Sequence, residues 1–447
     1  MGNKSNWLIF LVVLLLSSWH LDSGPNDNTM SRAAMVSALI IDGQLAIDNY
    51  HEGIGDKAFV NGHYYSDKAP LPALLVVPVA WTAVQFGILG REHVLGPGLL
   101  RIGGFVCGSV PFALLVILLW SRARRSGYSE KALLLVVVSL FGSFLFVYSG
   151  SFNAHLIGAL FILLAVRSIG SGAWPAGGVW SGAAVLCEYP LAIFPAYWTV
   201  VLLVSAWKNK ADRKSLMQFT AGGTPWLIAW LVYNWSMSGD PFTIGYEHEV
   251  EYTFMSDGFG LSAPTWDAVL GLTLSPYRGL FIYMPVALIT LIAFGLLLRR
   301  QDPPGMHMVL APMVASFLLI ASYAMWWGGW AFGPRHLSTA AVLLLWSGLP
   351  IIADDKRLRN VTILLAIGGS LLSFAAKNTL WYSFPTEVRS PITDMLIPAV
   401  LSGQWTDMQW PVLLGMRPMT ATALFVGLFV ACLVLLFFRS RKPYPGS

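Results

Sequence analysis

The sequence predicts an all-α polytopic membrane protein, on three observations. Of its 447 residues, 56% are hydrophobic and only 11% are charged, which leaves too little polar surface to cover a soluble globule of this size. The hydrophobic residues gather in segments long enough to cross the roughly 30 Å of hydrocarbon in a bilayer. Short clusters of Lys and Arg flank these segments, as is typical of cytoplasmic loops. The net charge of +5 is therefore not taken as a sign of nucleic-acid binding.

The predicted spans follow in order along the chain. The first is read as a retained span, because the residues after it lack the cleavage pattern of a signal peptide. A stretch at 174–206 is interrupted by Cys187 to Pro190 and predicts two short helices, because Pro190 disfavours a continuous helix and Glu188 is unfavourable in lipid. These two bring the total to about twelve transmembrane helices. The other ten lie at 7–22, 98–120, 131–148, 152–168, 219–238, 279–298, 307–325, 337–353, 360–376 and 419–438.

Residues 71–89 are also long enough to span, and the charge distribution argues against it. If they crossed, the basic loop around Arg122 and every later basic loop would face outward, against the positive-inside rule. Placing them along the outer interface puts 18 of the 28 Lys and Arg residues in the cytoplasm. The segment therefore predicts an interfacial helix, with Pro72 and Pro78 breaking what would otherwise be a span. Both chain termini are then expected to be cytoplasmic.

This topology predicts a single transmembrane domain over 1–447 with three sizeable outward segments. They lie at 23–97, 239–278 and 377–418, and a short fourth one lies at 326–336. The polar residues that could carry chemistry concentrate there. The three cysteines lie in apolar segments, so neither a disulfide framework nor a zinc site is expected.

Cations at the outward ends of the predicted spans suggest an anion site. Asp67 and Lys68 precede the interfacial helix, where an ammonium suits a lipid phosphate and the carboxylate can act as a base or orient the Lys. Arg278 in SPYRGLF and Arg335 in WAFGPRH each stand alone before a span. Each arginine by itself is compatible with a side chain reaching to the interface, but three such cations on one face favour a shared site. His155 also lies at an outward helix end, where a lone histidine is more often structural.

Known catalytic motifs give little further support. The sequence contains no P-loop, zinc-protease helix or nucleophile-elbow pattern, so nucleotide hydrolysis and common hydrolase chemistry are not indicated. Glu247, Glu249 and Glu251 alternate in YEHEVEY and would share one face of an extended segment. A solvated loop is the favoured interpretation of this triplet, and no metal site is expected.

The stretch NGHYYSDKAPLPALL at 61–75 resembles the signature of GT-C glycosyltransferases of the protein O-mannosyltransferase and lipid A aminoarabinose transferase type. In those families an aromatic residue, an acid and a Lys or His precede two prolines and a leucine. Tyr65, Asp67 and Lys68 match this pattern, and Ala69 replaces the first proline. The arginine-containing segments SPYRGLF and GGWAFGPRH resemble segments of bacterial family-39-like members.

The resemblance implies a GT-C-type transferase of the cell envelope that needs no cofactor. Its donor would be a hexose or pentose linked to polyprenyl phosphate in the inner membrane, and its acceptor a glycan, lipid or protein on the periplasmic or exterior side. An inverting displacement would use a carboxylate to remove the acceptor's proton. Lys68, Arg278 and Arg335 would stabilise the departing phosphate, and Tyr65 and His155 are possible substrate-binding residues.

Several carboxylates are candidates for the base. The families carry an Asp-Glu pair shortly after the first span, and counting back from Gly43 puts that pair on Asn28 and Thr29. Asp27, one residue earlier, is the preferred base, although one residue on a helix is about 100° of rotation. The alternatives are Asp67, Asp56 and Asp42.

A transporter or flippase of a lipid-linked or anionic substrate is the second interpretation, and a non-catalytic scaffold the third. Transporters place ionisable residues near the membrane midplane and often have two similar halves. The predicted spans here are nearly free of charge, which favours the transferase. On that interpretation Asp27, Lys68, Arg278 and Arg335 are expected to line one cavity.

Overall fold

The computed structural model describes residues 3–124, 129–300 and 306–439, and within them helices predominate and strands are nearly absent, which confirms the all-α class. A single short hairpin consists of β1 (Lys57–Val60) and β2 (His63–Ser66) among these residues. The helices are α1 (Asn3–Ser17), α2 (Asp27–Ser37), α3 (Leu71–Gln85), α4 (Pro97–Gly104), α5 (Val110–Ala123), α6 (Ser129–Phe141), α7 (Phe144–Val147), α8 (His155–Gly170), α9 (Trp174–Val185), α10 (Ile193–Lys208), α11 (Arg213–Ser238), α12 (Trp266–Thr273), α13 (Leu280–Tyr283), α14 (Val286–Arg300), α15 (His307–Ala321), α16 (Ser338–Asp354), α17 (Lys356–Asn378), α18 (Ile397–Leu401), α19 (Trp410–Leu413) and α20 (Pro418–Arg439).

Apolar helices occupy most of the predicted spans. Within the described residues five helical runs are long and apolar enough to cross a membrane: Pro97–Ala123, Tyr189–Lys208, Arg335–Asp354, Lys356–Asn378 and Pro418–Phe438. The first of these is α4 and α5 joined through a π-helical turn at Phe105–Ser109. Shorter apolar helices cover most of the other predicted spans. The membrane-protein class follows from these helices.

The predicted break near Pro190 is present. Helix α9 ends at Val185, a turn of 3₁₀ helix follows at Tyr189–Ala192, and α10 begins at Ile193. Helix α9 packs closely on α11 through glycine. A Cβ atom on Gly178 would lie 2.0 Å from the carbonyl oxygen of Phe219, so only glycine permits this approach.

Helix α3 is continuous through Pro78, so the predicted break at that proline is wrong. Pro72 lies in the first turn, where the missing N–H has no helical partner to lose. With 15 residues, α3 is about 22 Å long at roughly 1.5 Å per residue, which is shorter than the hydrocarbon core. It exposes Leu74, Val79 and Trp81 to the surroundings. Its position along the membrane surface stays a prediction.

Backbone contacts at two places fix the hairpin and the start of α3 to the rest of the chain. The N–H of Leu71, at the start of α3, donates to the carbonyl oxygen of Leu186 at 2.9 Å, next to the break after α9. The free edge of β1 pairs with a distant loop, because the N–H of Val250 donates to the carbonyl oxygen of Lys57 at 3.0 Å. Ala58 and Glu249 form an antiparallel bridge at the same place. These contacts bring three separate parts of the chain to one site.

Candidate functional site

A cavity of about 900 Å³ lies where these parts meet. It brings Asp27, Lys68 and Arg335 together, although about 40 and 270 residues separate them along the chain. The cavity is also lined by charged or hydrogen-bonding side chains that include Asn28, Arg32, Asp56, Asp67, His155, Glu188, Tyr246, Glu249, Tyr252, Tyr323, Trp327 and His336.

One part of the lining, the acidic wall, consists of Asp56, Asp67, Lys68 and Glu249. The Lys68 Nζ lies 2.8 Å from an Asp56 oxygen and 2.6 Å from an Asp67 oxygen. Burial acts to lower the pKa of Lys68, but Asp56 and Asp67 outweigh it and raise that pKa well above its usual range. The ammonium is therefore charged and already shared by two carboxylates. Lys68 could reach a phosphate only in competition with them.

Burial raises the pKa of two carboxyl groups in this wall, those of Asp67 and Glu249. Burial raises the pKa of Asp67, the Lys68 ammonium lowers it and Asp56 raises it again, with an upward net direction. The Ser31 hydroxyl donates to the second Asp67 oxygen at 3.3 Å. Burial and the nearby Asp67 carboxylate raise the pKa of Glu249 to about 9. Neither Glu249 oxygen receives a hydrogen bond from a donor of the described residues.

Glu249 is a residue that the sequence interpretation did not select. Its neighbours Glu247 and Glu251 are exposed, as a solvated loop would have them. A 3₁₀ turn at Gly245–His248 ends the predicted alternation, and the pairing with β1 then turns Glu249 alone into the cavity lining. The position of this pairing depends on tertiary structure and leaves no local signal.

Asp27 is the first residue of α2 and is exposed at the cavity. One of its carboxylate oxygens accepts a hydrogen bond from the N–H of Gly55 at 2.9 Å. A Cβ atom on Gly55 would lie 3.1 Å from that carboxylate, so glycine allows the loop to approach it. The neighbouring Asn28 accepts from Arg32 through both its backbone and side-chain oxygens.

The other acids that were considered as bases differ in position. Asp56 and Asp67 line the cavity and bind Lys68. Asp42 lies outside the cavity lining, is exposed and accepts from Asn49 at 3.2 Å. The structure therefore does not bring Asp42 to the site.

A second part of the lining, the arginine wall, consists of Arg335, Trp327 and His155. The Arg335 guanidinium has no acceptor within the described ranges, and its Nε atom is buried. The indole N–H of Trp327 and the Nε2 atom of His155 are buried without a partner in the same part of the chain. The loop is tight here, because a Cβ on Gly328, whose φ is +76°, would lie 3.0 Å from the Arg335 Nε. The N–H groups of Arg335 and Trp327 suit an anion in the cavity.

His155 has a carboxylate neighbour that its sequence context does not reveal. Its Nδ1 atom lies 2.5 Å from an oxygen of Glu188, the acid in the break after α9. Both residues line the cavity. Tyr65, in contrast, is buried opposite Ala58 in the hairpin and does not line it.

Arg278 does not line the cavity. Of the four residues expected to share it, only Asp27, Lys68 and Arg335 do so. The Arg278 guanidinium is fully buried and donates to four backbone carbonyl oxygens. The acceptors are Tyr277 at 2.8 Å, Trp327 at 3.2 Å, Gly329 at 3.1 Å and Phe384 at 3.1 Å. Arg278 thus fixes the loop that carries Trp327, and four of its five N–H donors are used in doing so.

We expect Arg278→Met to destabilise the protein by about 3 kcal/mol or more, because several buried carbonyl oxygens lose a charged donor. Thermal unfolding followed by tryptophan fluorescence measures this effect. Arg335→Met is the matched control, since its guanidinium has no acceptor to lose within the described residues. An Arg278→Met protein that unfolds at the wild-type temperature would contradict the assignment.

Comparison with known proteins gives a match at the level of structure only. No protein-family model matches the sequence, and no curated protein does. The crystal structure of ArnT from Cupriavidus metallidurans bound to undecaprenyl phosphate matches 98% of this chain and 77% of its own, with 14% identity and a TM-score of 0.50. The same enzyme in the apo state matches 98% of this chain and 78% of its own, with 13% identity and a TM-score of 0.48.

A third solved structure is the oligosaccharyltransferase of Archaeoglobus fulgidus tethered to an acceptor peptide. It matches 87% of this chain and 60% of its own length, with 13% identity and a TM-score of 0.47. At such identities the likeness concerns the fold. The likeness to ArnT confirms the fold that the sequence resemblance implies.

Proposed function

We propose that this protein is a glycosyltransferase that moves a hexose or pentose from polyprenyl phosphate to an acceptor on the outer face of the membrane. The observation that carries the proposal is one cavity with two unlike walls. In the arginine wall, Arg335 and Trp327 offer N–H donors that have no acceptor among the described residues, and Asp27 and the acidic wall offer carboxylates. The ArnT structure with the same fold binds undecaprenyl phosphate, which supports a lipid phosphate as the anion.

The phosphate of the lipid-linked sugar binds at Arg335 in this proposal, with the Trp327 N–H as a further hydrogen-bond donor. These groups have no internal partners among the described residues, so a phosphate satisfies them without breaking an existing hydrogen bond. Lys68 contributes positive charge from within its carboxylate pair. Arg278 is left out of the binding set, because its donors already hold carbonyl oxygens.

The reaction is an inverting displacement at the anomeric carbon. An acceptor hydroxyl forms the new C–O bond while the bond to the phosphate oxygen breaks, and the electron pair stays on the phosphate. The hydroxyl proton passes to a carboxylate, for which we propose Asp27. Asp27 is exposed and has one hydrogen-bond donor, the N–H of Gly55. Asp67 is less suited, since Lys68 and Ser31 already occupy both of its oxygens.

The test is transfer by the purified protein in lipid nanodiscs. A panel of radiolabelled polyprenyl-phosphate sugars is incubated with the protein and with envelope glycans, lipids and proteins as acceptors. We expect label to leave one donor and to join one acceptor class, with release of free polyprenyl phosphate. In proteoliposomes, label that crosses the bilayer with its lipid linkage intact would instead support a transporter or flippase and overturn the proposal.

A further inference from the structure

Glu249 occupies an unusual position for a carboxyl group. It is 8% exposed, and the bridge to Ala58 fixes its backbone beside the hairpin that carries Asp56 and Lys68. Its carboxyl lies within hydrogen-bonding reach of Asp67. Neither of its oxygens receives a hydrogen bond from the described residues, which is unfavourable for an ionised carboxylate in a buried place.

The charges around Glu249 do not balance if all the acids ionise. Asp56, Asp67 and Glu249 would carry three negative charges against the single positive charge of Lys68. Asp56 and Asp67 each hold the ammonium directly, at 2.8 and 2.6 Å. Glu249 holds no cation in the described part of the chain, so a proton is retained most favourably on Glu249. A protonated Glu249 also gains a donor, which can satisfy Asp67.

We propose that Glu249 retains a proton during the reaction and donates it as a hydrogen bond to Asp67, as a positioning residue for the acidic wall. This inference rests on the proposed function, and it adds a role for a residue that contacts neither the phosphate nor the acceptor. With the proton in place, the four groups of the wall sum to one negative charge. Without it they sum to two, and Glu249 competes with Asp67 for Lys68.

The titratable groups that face Glu249 are Asp56, Asp67, Lys68 and Tyr252. Their charges determine how the rate of transfer depends on pH. The pKa of Lys68 lies well above its usual range, and burial, with Asp56 and Asp27, raises the pKa of Tyr252 to about 12. Glu249, whose pKa is raised to about 9, keeps its proton below that pH and loses it above. Transfer is therefore expected to fall as the pH rises through about 9.

Infrared spectroscopy of the whole protein in nanodiscs tests the proton without any substrate. Labelling with ¹³C-glutamate separates a protonated Glu from protonated Asp residues. We expect a labelled carboxylic-acid C=O band at pH 7 that disappears by pH 10, and that Glu249→Gln removes. Glu251→Gln, which alters an exposed glutamate two residues away, keeps the band. A wild-type protein without the band at pH 7, or a band that Glu249→Gln leaves in place, overturns the inference.

The transfer assay tests the positioning role. Glu249→Gln keeps an N–H donor for Asp67 and is expected to lose less than roughly threefold in rate, whereas Glu249→Ala loses at least about tenfold, equivalent to one hydrogen bond of about 1.4 kcal/mol. The alkaline fall in rate should disappear in Glu249→Gln. Equal losses in the Gln and Ala variants, or an unchanged alkaline fall, overturn the role. Should no donor be consumed by any variant, the proposed function fails, while the infrared result still stands.

Discussion

Replacing Asp27 with asparagine is expected to lower the rate constant of sugar transfer by about 100-fold or more. A positioned general base contributes roughly 10² to 10⁴ in rate, and an amide cannot accept the hydroxyl proton. Asparagine still offers an oxygen to the N–H of Gly55, so the loop contact at 2.9 Å can persist. Donor affinity should stay near the wild-type value. Single-turnover kinetics with radiolabelled donor, together with a donor-binding titration, separate the two quantities.

Two comparison variants make the Asp27 result specific. Asp257→Asn changes an exposed acid of the 239–278 segment that does not line the cavity, and it should transfer sugar at the wild-type rate. Asp67→Asn is expected to weaken the anchoring of Lys68 without removing the base. If Asp27→Asn keeps full activity while Asp67→Asn does not, the base is Asp67 and the Asp27 assignment is wrong.

Arg335→Gln is expected to reduce transfer by about 10² to 10³, the range seen when one donor to a developing anion is removed. The reduction should appear in donor affinity as well as in kcat, because the guanidinium meets the phosphate before and during bond cleavage. Stability should not fall with it, since Arg335 has no acceptor within the described residues to leave unpaired. Isothermal titration with a polyprenyl phosphate and thermal unfolding measure the two effects.

Arg91→Gln serves as the matched control, because Arg91 is exposed in the 23–97 segment and does not line the cavity. It should bind donor and transfer sugar as the wild type does. Lys68→Ala distinguishes the two cations of the site. Should Arg335→Gln bind polyprenyl phosphate normally while Lys68→Ala does not, the phosphate is held at the acidic wall and the arrangement proposed here is reversed.

The two arginines illustrate what the sequence can and cannot predict. Arg278 and Arg335 occur in similar surroundings of glycine, proline and aromatics before a helix. Arg278 is buried against carbonyl oxygens, and Arg335 faces the cavity with no side-chain partner in the part of the chain that the structure describes. The difference depends on how the loop at 327–329 passes between them. No periodicity or composition encodes that path, so both arginines fit the same local pattern.

The ion pairs of Lys68 with Asp56 and Asp67, in contrast, can be inferred from the sequence. Asn61-Gly62 is a strong signal for a two-residue hairpin turn, and both residues have positive φ, at 52° and 88°. That turn sets the register in which Lys57 pairs with Ser66. The next position outward on each side is then Asp56 and Asp67. A hairpin reading of this stretch would have predicted two acids beside Lys68, and so a less available ammonium.

The helical part of the fold was predicted more fully, because its determinants are local. Apolar length gave the helices, and the Cys187–Pro190 stretch gave the break after α9. Pro78 does not end α3 as predicted, because a proline inside a helix removes one hydrogen bond and the helix can continue past it. The cavity required tertiary contacts between distant segments, which only the structure supplies.

The hydrogen bond between Val250 and Lys57 joins the hairpin and the 245–252 stretch into one structural unit. The acids that surround Lys68 come from both the hairpin and the 245–252 stretch, and a backbone hydrogen bond of 3.0 Å joins them. A chimaera that takes only one of these two loops from another protein of this fold would pair a foreign segment with a native one at this edge. The arrangement of acids around Lys68 is therefore expected to form only when both loops are exchanged together.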